Sequence, residues 1–174
     1  MATSKVLVIG ALPPPSGGME TVMEQMMSLK FDDYELIPFD VAKNSTIKSN
    51  ILFNSITFIY RCIKLIGVLI VKQPKIVHIH MAAYMDFWQK AIYMKIANMF
   101  NKHTILHMHG SKFKEFYSKS RKKETIRKII ESSKAVIVLS ESWKKYYSSI
   151  AKKSKIHIVK NAVESIDYNR YKRI

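Results

Sequence analysis

KVLVIGALPPPSGGME, residues 5–20, decides how the rest of the chain is read. Val6 to Ile9 is a short apolar run, largely β-branched, and predicts a buried strand. Gly10 and Pro13 to Pro15 forbid its continuation, and Ser16-Gly17-Gly18 supply a loop with little side-chain cover. From Met19 the period turns helical, with Met19, Val22, Met23, Met26 and Met27 on one side. A strand, a glycine-rich turn and a helix start make a natural anion cradle, because bare amides meet the positive end of the helix dipole.

Working outward, the same strand-then-helix rhythm continues. Strands are expected at 5–10, 34–39, 75–80, 103–109, 135–139 and 155–159. Helices are expected at 18–29, 47–72, 83–101, 112–117, 122–132 and 141–149. The helix ending at 72 stops before Pro74, as the restricted residue before a proline requires. Strands alternating with helices predict parallel pairing, and short apolar runs predict strands covered on both faces. The expected fold is an α/β, doubly wound, mainly parallel Rossmann-like sheet with helices on both faces. Its carboxyl edge, where such sheets bind ligands, would carry Gly10 to Gly18, His80 to Ala83, His109 to Ser111, Ser140 to Ser142 and Asn161.

At 174 residues and 48% hydrophobic content, the chain is long and apolar enough for one ordinary domain. Its net charge of +16 is uneven: residues 1–110 carry +4 and residues 111–174 carry +12. A basic half attracts phosphate-bearing partners, whether nucleic acid, an anionic membrane surface or a nucleotide ligand. Nucleic acid is disfavoured, since Trp143, Tyr146 and Tyr147 are better placed to pack on the sheet than to stack with bases. The single cysteine, Cys62, allows no disulfide within the chain and favours a cytoplasmic setting, and it reads as a core thiol rather than a nucleophile. No signal-peptide pattern precedes the first strand. Ile51 to Val71 is long enough to cross a bilayer, but Arg61 and Lys64 at its centre argue for a core-packing helix, with an interfacial helix as the alternative.

The loop matches neither common phosphate fingerprint. GxGxxG needs a glycine two residues after Gly10, and Gly110-Ser111-Lys112 reverses the Walker order, so a dinucleotide dehydrogenase or P-loop NTPase is disfavoured. Four histidines form two pairs, His78/His80 and His107/His109, each on one face of its strand. No Asp, Glu or Cys at ligand spacing accompanies them, so no metal site is expected. His78 and His107 are expected as hydrogen-bonded core residues. His80 and His109 stand at strand ends, where His109 precedes a glycine that lets the backbone turn close to a ligand.

Five stretches in register then resemble the N-terminal domain of family 4 retaining glycosyltransferases with the two-domain GT-B fold. They are KVLVIGALPPPSGGME at 5–20, KIVHIH at 75–80, HTILHMHGSKF at 103–113, AVIVLSESW at 135–143 and IHIVKNAVE at 156–164. In the last, Asn161-Ala162-Val163-Glu164 stands where that family usually has Asn-Gly-Val-Asp. The resemblance implies transfer of a sugar from a nucleotide-sugar donor to a sugar or lipid-linked acceptor, with retention and without a required metal or other cofactor. It implies a substrate site at Gly17, Gly18, Glu20, His80, Gly110, Ser140 and Asn161. His109 would be the catalytic residue, orienting the transferred sugar. Residues 1–164 would be the acceptor-side domain and 165–174 a linker or tail. The donor-binding second domain is not expected in this chain, which would then be inactive unless a separate C-terminal domain chain completes it. Its setting would be cytoplasmic, with peripheral attachment to the inner face of a membrane. The alternative function is a non-enzymatic basic module for an anionic membrane surface.

Overall fold

A computed structural model describes residues 3–12, 18–42, 50–110 and 112–161. The elements follow the order β1 (Ser4–Gly10), α1 (Gly18–Ser28), β2 (Tyr34–Asp40), α2 (Ile51–Lys72), β3 (Ile76–Met81), α3 (Met85–Met99), β4 (His103–Met108), α4 (Phe113–Lys119), α5 (Lys123–Glu131), β5 (Ala135–Val138), α6 (Glu141–Ile150) and β6 (Ile156–Ile158). The six strands form one sheet in the order β2-β1-β3-β4-β5-β6, every pair parallel. The doubly wound α/β expectation therefore holds. Pro38 lies in β2, an edge strand, where a missing ladder donor is tolerated.

The chain steps one way from β1 to β2 and the other way from β2 onward. Right-handed crossovers then send α1 to one face and the other helices to the opposite face. The packing agrees. Met23 of α1 sits on Val6 and Val8, whereas Leu65, Phe87, Phe113, Ile126 and Tyr147 share a core with Leu7, Ile9, Val77, Leu106 and Val136. The layers are lopsided: one described helix on the first face, five on the second. The reversal falls between β1 and β3, which makes their carboxyl ends the topological switch point.

Local chemistry sets the helix ends. Asn50 caps α2, its Oδ1 accepting the Phe53 amide at 2.8 Å, and Gln73 ends it in the left-handed region at φ 49°. The helix thus begins at Ile51 rather than at the expected 47, and 47–49 lie outside the described residues. Tyr84, at φ 59°, delays α3 to Met85.

One expectation fails. α2 is not simply a core-packing helix. Leu65 and Leu69 are buried and Phe58, Cys62 and Val68 pack beside them, but Leu52, Ile56, Ile59, Ile63 and Ile70 are each more than half exposed. The helix is apolar nearly all round, and the sheet can cover only one side of it. Among the described residues it is the one helix long and apolar enough to cross a membrane. Cys62 is half-buried against the core, and burial pushes its thiol pKa up, in keeping with a packing role. Trp143, Tyr146 and Tyr147 pack on the sheet as expected, Tyr147 almost wholly buried.

Candidate active site at the carboxyl edge

The switch point gathers the site. β3 delivers His80 and the chain leaving β4 delivers His109, whose backbone amide donates to the Met81 carbonyl at 2.7 Å. The two rings meet, His80 Nδ1 lying 2.9 Å from His109 Nε2, with both side chains buried. Gly110 follows at φ +105°, a conformation L side chains rarely adopt, so the turn there depends on glycine.

Behind this pair the histidines form a ladder. His80 and His107 are register partners, and His78 and His109 lie diagonally beside them on the face that α1 covers. Ring centroids are 4.2 to 5.4 Å apart along the ladder. His78 and His107 are buried, but among the described residues the hydrogen bonds expected of core histidines are missing at His78 Nε2 and at both nitrogens of His107. His80 Nε2 likewise finds no partner among them. The backbone groups of the sheet are spent on its own ladder, and α1 brings methionines to this face. Burial keeps all four rings neutral. It lowers His78 to about 3, with His107 adding to the effect, and His107 to about 3, with His109 adding. His109 falls to about 4 through burial and then the charge of Lys90, and His80 is lowered chiefly by burial.

Lys90 is a site residue that the sequence did not single out. It sits on α3, 3% exposed, and pairs with Asp86 at 2.7 Å. Asp86 Oδ2 also accepts the Ala82 amide at 2.6 Å, tying α3 to the end of β3. The Lys90 Nζ reaches Met19 Sδ at 3.8 Å, so it spans from α3 to the first turn of α1. Burial lowers its pKa, opposed by Asp86 and by Glu20. The available signal was the i,i+4 spacing of Asp86 and Lys90 just past a strand end.

The remaining candidates divide. Glu20 lies on the first turn of α1, within electrostatic reach of Lys90. Gly18 opens α1, and a Cβ placed on it would meet nothing within 4 Å, so packing does not require glycine there. Gly17 lies outside the described residues. Ser140 caps α6, its hydroxyl accepting the Trp143 amide at 3.4 Å and pairing with Ser142 at 2.9 Å. Asn161 is exposed past the end of β6. Among the described residues, neither Ser140 nor Asn161 shares a hydrogen bond with the His80–His109 pair.

Ligand nitrogens of His78, His80 and His107 lie within 4.8 Å of one another. A tetrahedral zinc with nitrogens at ~2.0–2.1 Å needs them about 3.3 Å apart, so these stacked rings would have to turn inward to share an ion. Lys90 beside them opposes a second positive charge.

The chain belongs to glycosyltransferase family 4: the model of Glycosyltransferase Family 4 matches residues 31–165. The match takes in β2 through β6, with His80, His109, Gly110, Lys90, Ser140 and Asn161, and leaves the opening loop and α1 outside it. No curated protein matches the chain.

Proposed function

We propose that this domain forms the acceptor-side wall of a glycosyltransferase cleft, opposite a second Rossmann-like domain that holds a nucleotide-sugar donor. The observation that carries the reading is the His80–His109 pair at the switch point of a family 4 sheet, turned by Gly110 and flanked by the buried Lys90. His109 is the catalytic residue, hydrogen-bonding and orienting the transferred sugar, and His80 fixes its ring. Gly17 and Gly18 bind the donor diphosphate, where the start of α1 at Gly18 stabilises charge developing on the leaving phosphate. Glu20, Gly110, Ser140 and Asn161 complete the acceptor side. Transfer runs with retention and without a metal, to a glycan or lipid-linked acceptor in polysaccharide or glycoconjugate synthesis, at the cytoplasmic face of a membrane.

An amide NMR titration tests the site. Adding a nucleotide sugar together with a glycan or lipid-linked acceptor should shift Gly18, Glu20, His80 and Gly110 as one group. Shifts confined to another surface would reject the assignment. A second reading, a basic module on an anionic membrane with no catalytic part, draws on the exposed apolar surface of α2. Restored transfer with a donor domain would reject that reading.

A further inference from the structure

α2 carries two separate apolar surfaces. At 3.6 residues per turn, Phe58, Cys62, Leu65 and Leu69 face the core, while Leu52, Ile56, Ile59, Ile63 and Ile70 form a stripe well round the helix. The two charges that oppose membrane contact by composition are not on that stripe. The Arg61 guanidinium turns back to the Ala42 carbonyl, and Lys64 lies 5.7 Å over the Phe39 ring, both on the flank toward the domain. The outward stripe from Leu52 to Ile70 therefore carries no charge. An exposed apolar face of this extent on a chain of net charge +16 calls for a partner with apolar body and anionic surface.

A groove of about 390 Å³ runs between the N-terminal halves of α2 and α3, walled by Ile51, Phe53, Phe58, Trp88 and Ile92, with Arg61 and short polar side chains of α2 also on its lining. It meets the stripe at the first turn of α2, where Ile51 and Phe53 line the groove and Leu52 begins the stripe. At the other side, Lys122 holds its ammonium 5.5 Å from the Trp88 ring, and Lys119, Arg121 and Lys123 stand exposed beside it. A groove with aromatic and apolar walls, the Arg61 guanidinium in its lining and the Lys122 ammonium over Trp88 has the chemistry to hold an anionic amphiphile.

We propose that α2 seats on an anionic lipid leaflet through this stripe, and that the α2–α3 groove takes one hydrocarbon chain of an anionic lipid whose phosphate meets Lys122. An amphipathic helix lying in the interface binds by buried apolar area plus attraction to anionic headgroups, which is the combination present here. The proposal stands on the fold and charge alone and does not depend on transfer activity.

Flotation of the full chain with vesicles of equal phosphatidylglycerol and phosphatidylcholine, and with phosphatidylcholine alone, tests the stripe. The chain should float with the anionic vesicles, and Ile59→Asp/Ile63→Asp should weaken this by about tenfold or more with unchanged circular dichroism. Short-chain phosphatidylglycerol below its micelle concentration tests the groove. It should change tryptophan fluorescence saturably, Lys122→Glu should weaken the effect, and Ser55→Trp, which fills the groove from an exposed position, should abolish saturable binding while leaving flotation intact. Absence of flotation with anionic vesicles overturns the proposal, as does equal flotation of the double variant. A dimer in lipid-free buffer that the double variant dissolves would give the face to a second copy and overturn it too.

Discussion

His107 carries two buried ring nitrogens with no partner among the described residues, beside a His80–His109 pair whose bond is 2.9 Å. Such a ladder is stable only while its rings stay neutral. Histidine in the unfolded chain titrates near 6.5, whereas His78 and His107 hold out to about 3 and His109 to about 4. Between pH 4 and 6.5 the unfolded state therefore binds more protons than the folded one. Stability is complete above pH 6.5 and falls as the pH drops toward 4, each ring contributing up to ~1.4 kcal/mol per pH unit. Thermal unfolding across that range should show a slope of more than one proton; a flat profile would mean the rings are hydrated in the fold. His107→Leu removes two unsatisfied nitrogens and one proton site. It should leave stability at pH 7 within about 1 kcal/mol of the parent and make the acid slope shallower. Lys90→Met keeps the volume and leaves Asp86 with its Ala82 amide, so the fold should survive while ligand-induced shifts at Glu20 and His80 are lost. Retained shifts would show that Lys90 only ties α3 to α1.

At the scale of elements, the strands and their ends were legible because short apolar runs bounded by Gly, Pro and Asn permit few alternatives. β1 through β6 fall within about two residues of expectation, and His80 and His109 arrive together because β3 and β4 pair in the register their alternation implies. What periodicity could not show was how many neighbours an element has. α2 reads as apolar all round, and only the tertiary arrangement shows that its outer face is left uncovered. Lys90 was hidden for a similar reason, since a lysine on a helix is ordinarily solvated and its burial depends on α1 crossing nearby. Two element-level outcomes follow. Gly10→Ala places a Cβ 2.7 Å from Met23 Sδ, so the buried Met23 side chain must repack and stability should drop by ~1 kcal/mol in chemical denaturation. Ser140→Ala removes the cap of α6 and should cost about 1 kcal/mol. A cost much smaller than this, joined to weaker ligand binding, would assign the hydroxyl to substrate instead.

On the scale of the whole molecule, the sheet's reversal between β1 and β3 concentrates chemistry at one edge and leaves the layers unequal. That edge gathers a histidine pair, a buried lysine and a helix start on one side of the domain. Such a form suits one wall of a cleft. The site was only partly legible for a related reason: His109-Gly110 marks it in sequence, but the buried Lys90 joins it only through the packing of α3 near α1. The most direct measurement is sugar transfer from a labelled nucleotide sugar, with a family 4 donor-binding domain supplied in trans to this chain. Transfer should appear on mixing, rise to saturation with the added domain, and fall by about a hundredfold or more with His109→Ala while the folded fraction is unchanged. No transfer at saturating donor domain, or full transfer by the His109→Ala chain, would contradict the assignment.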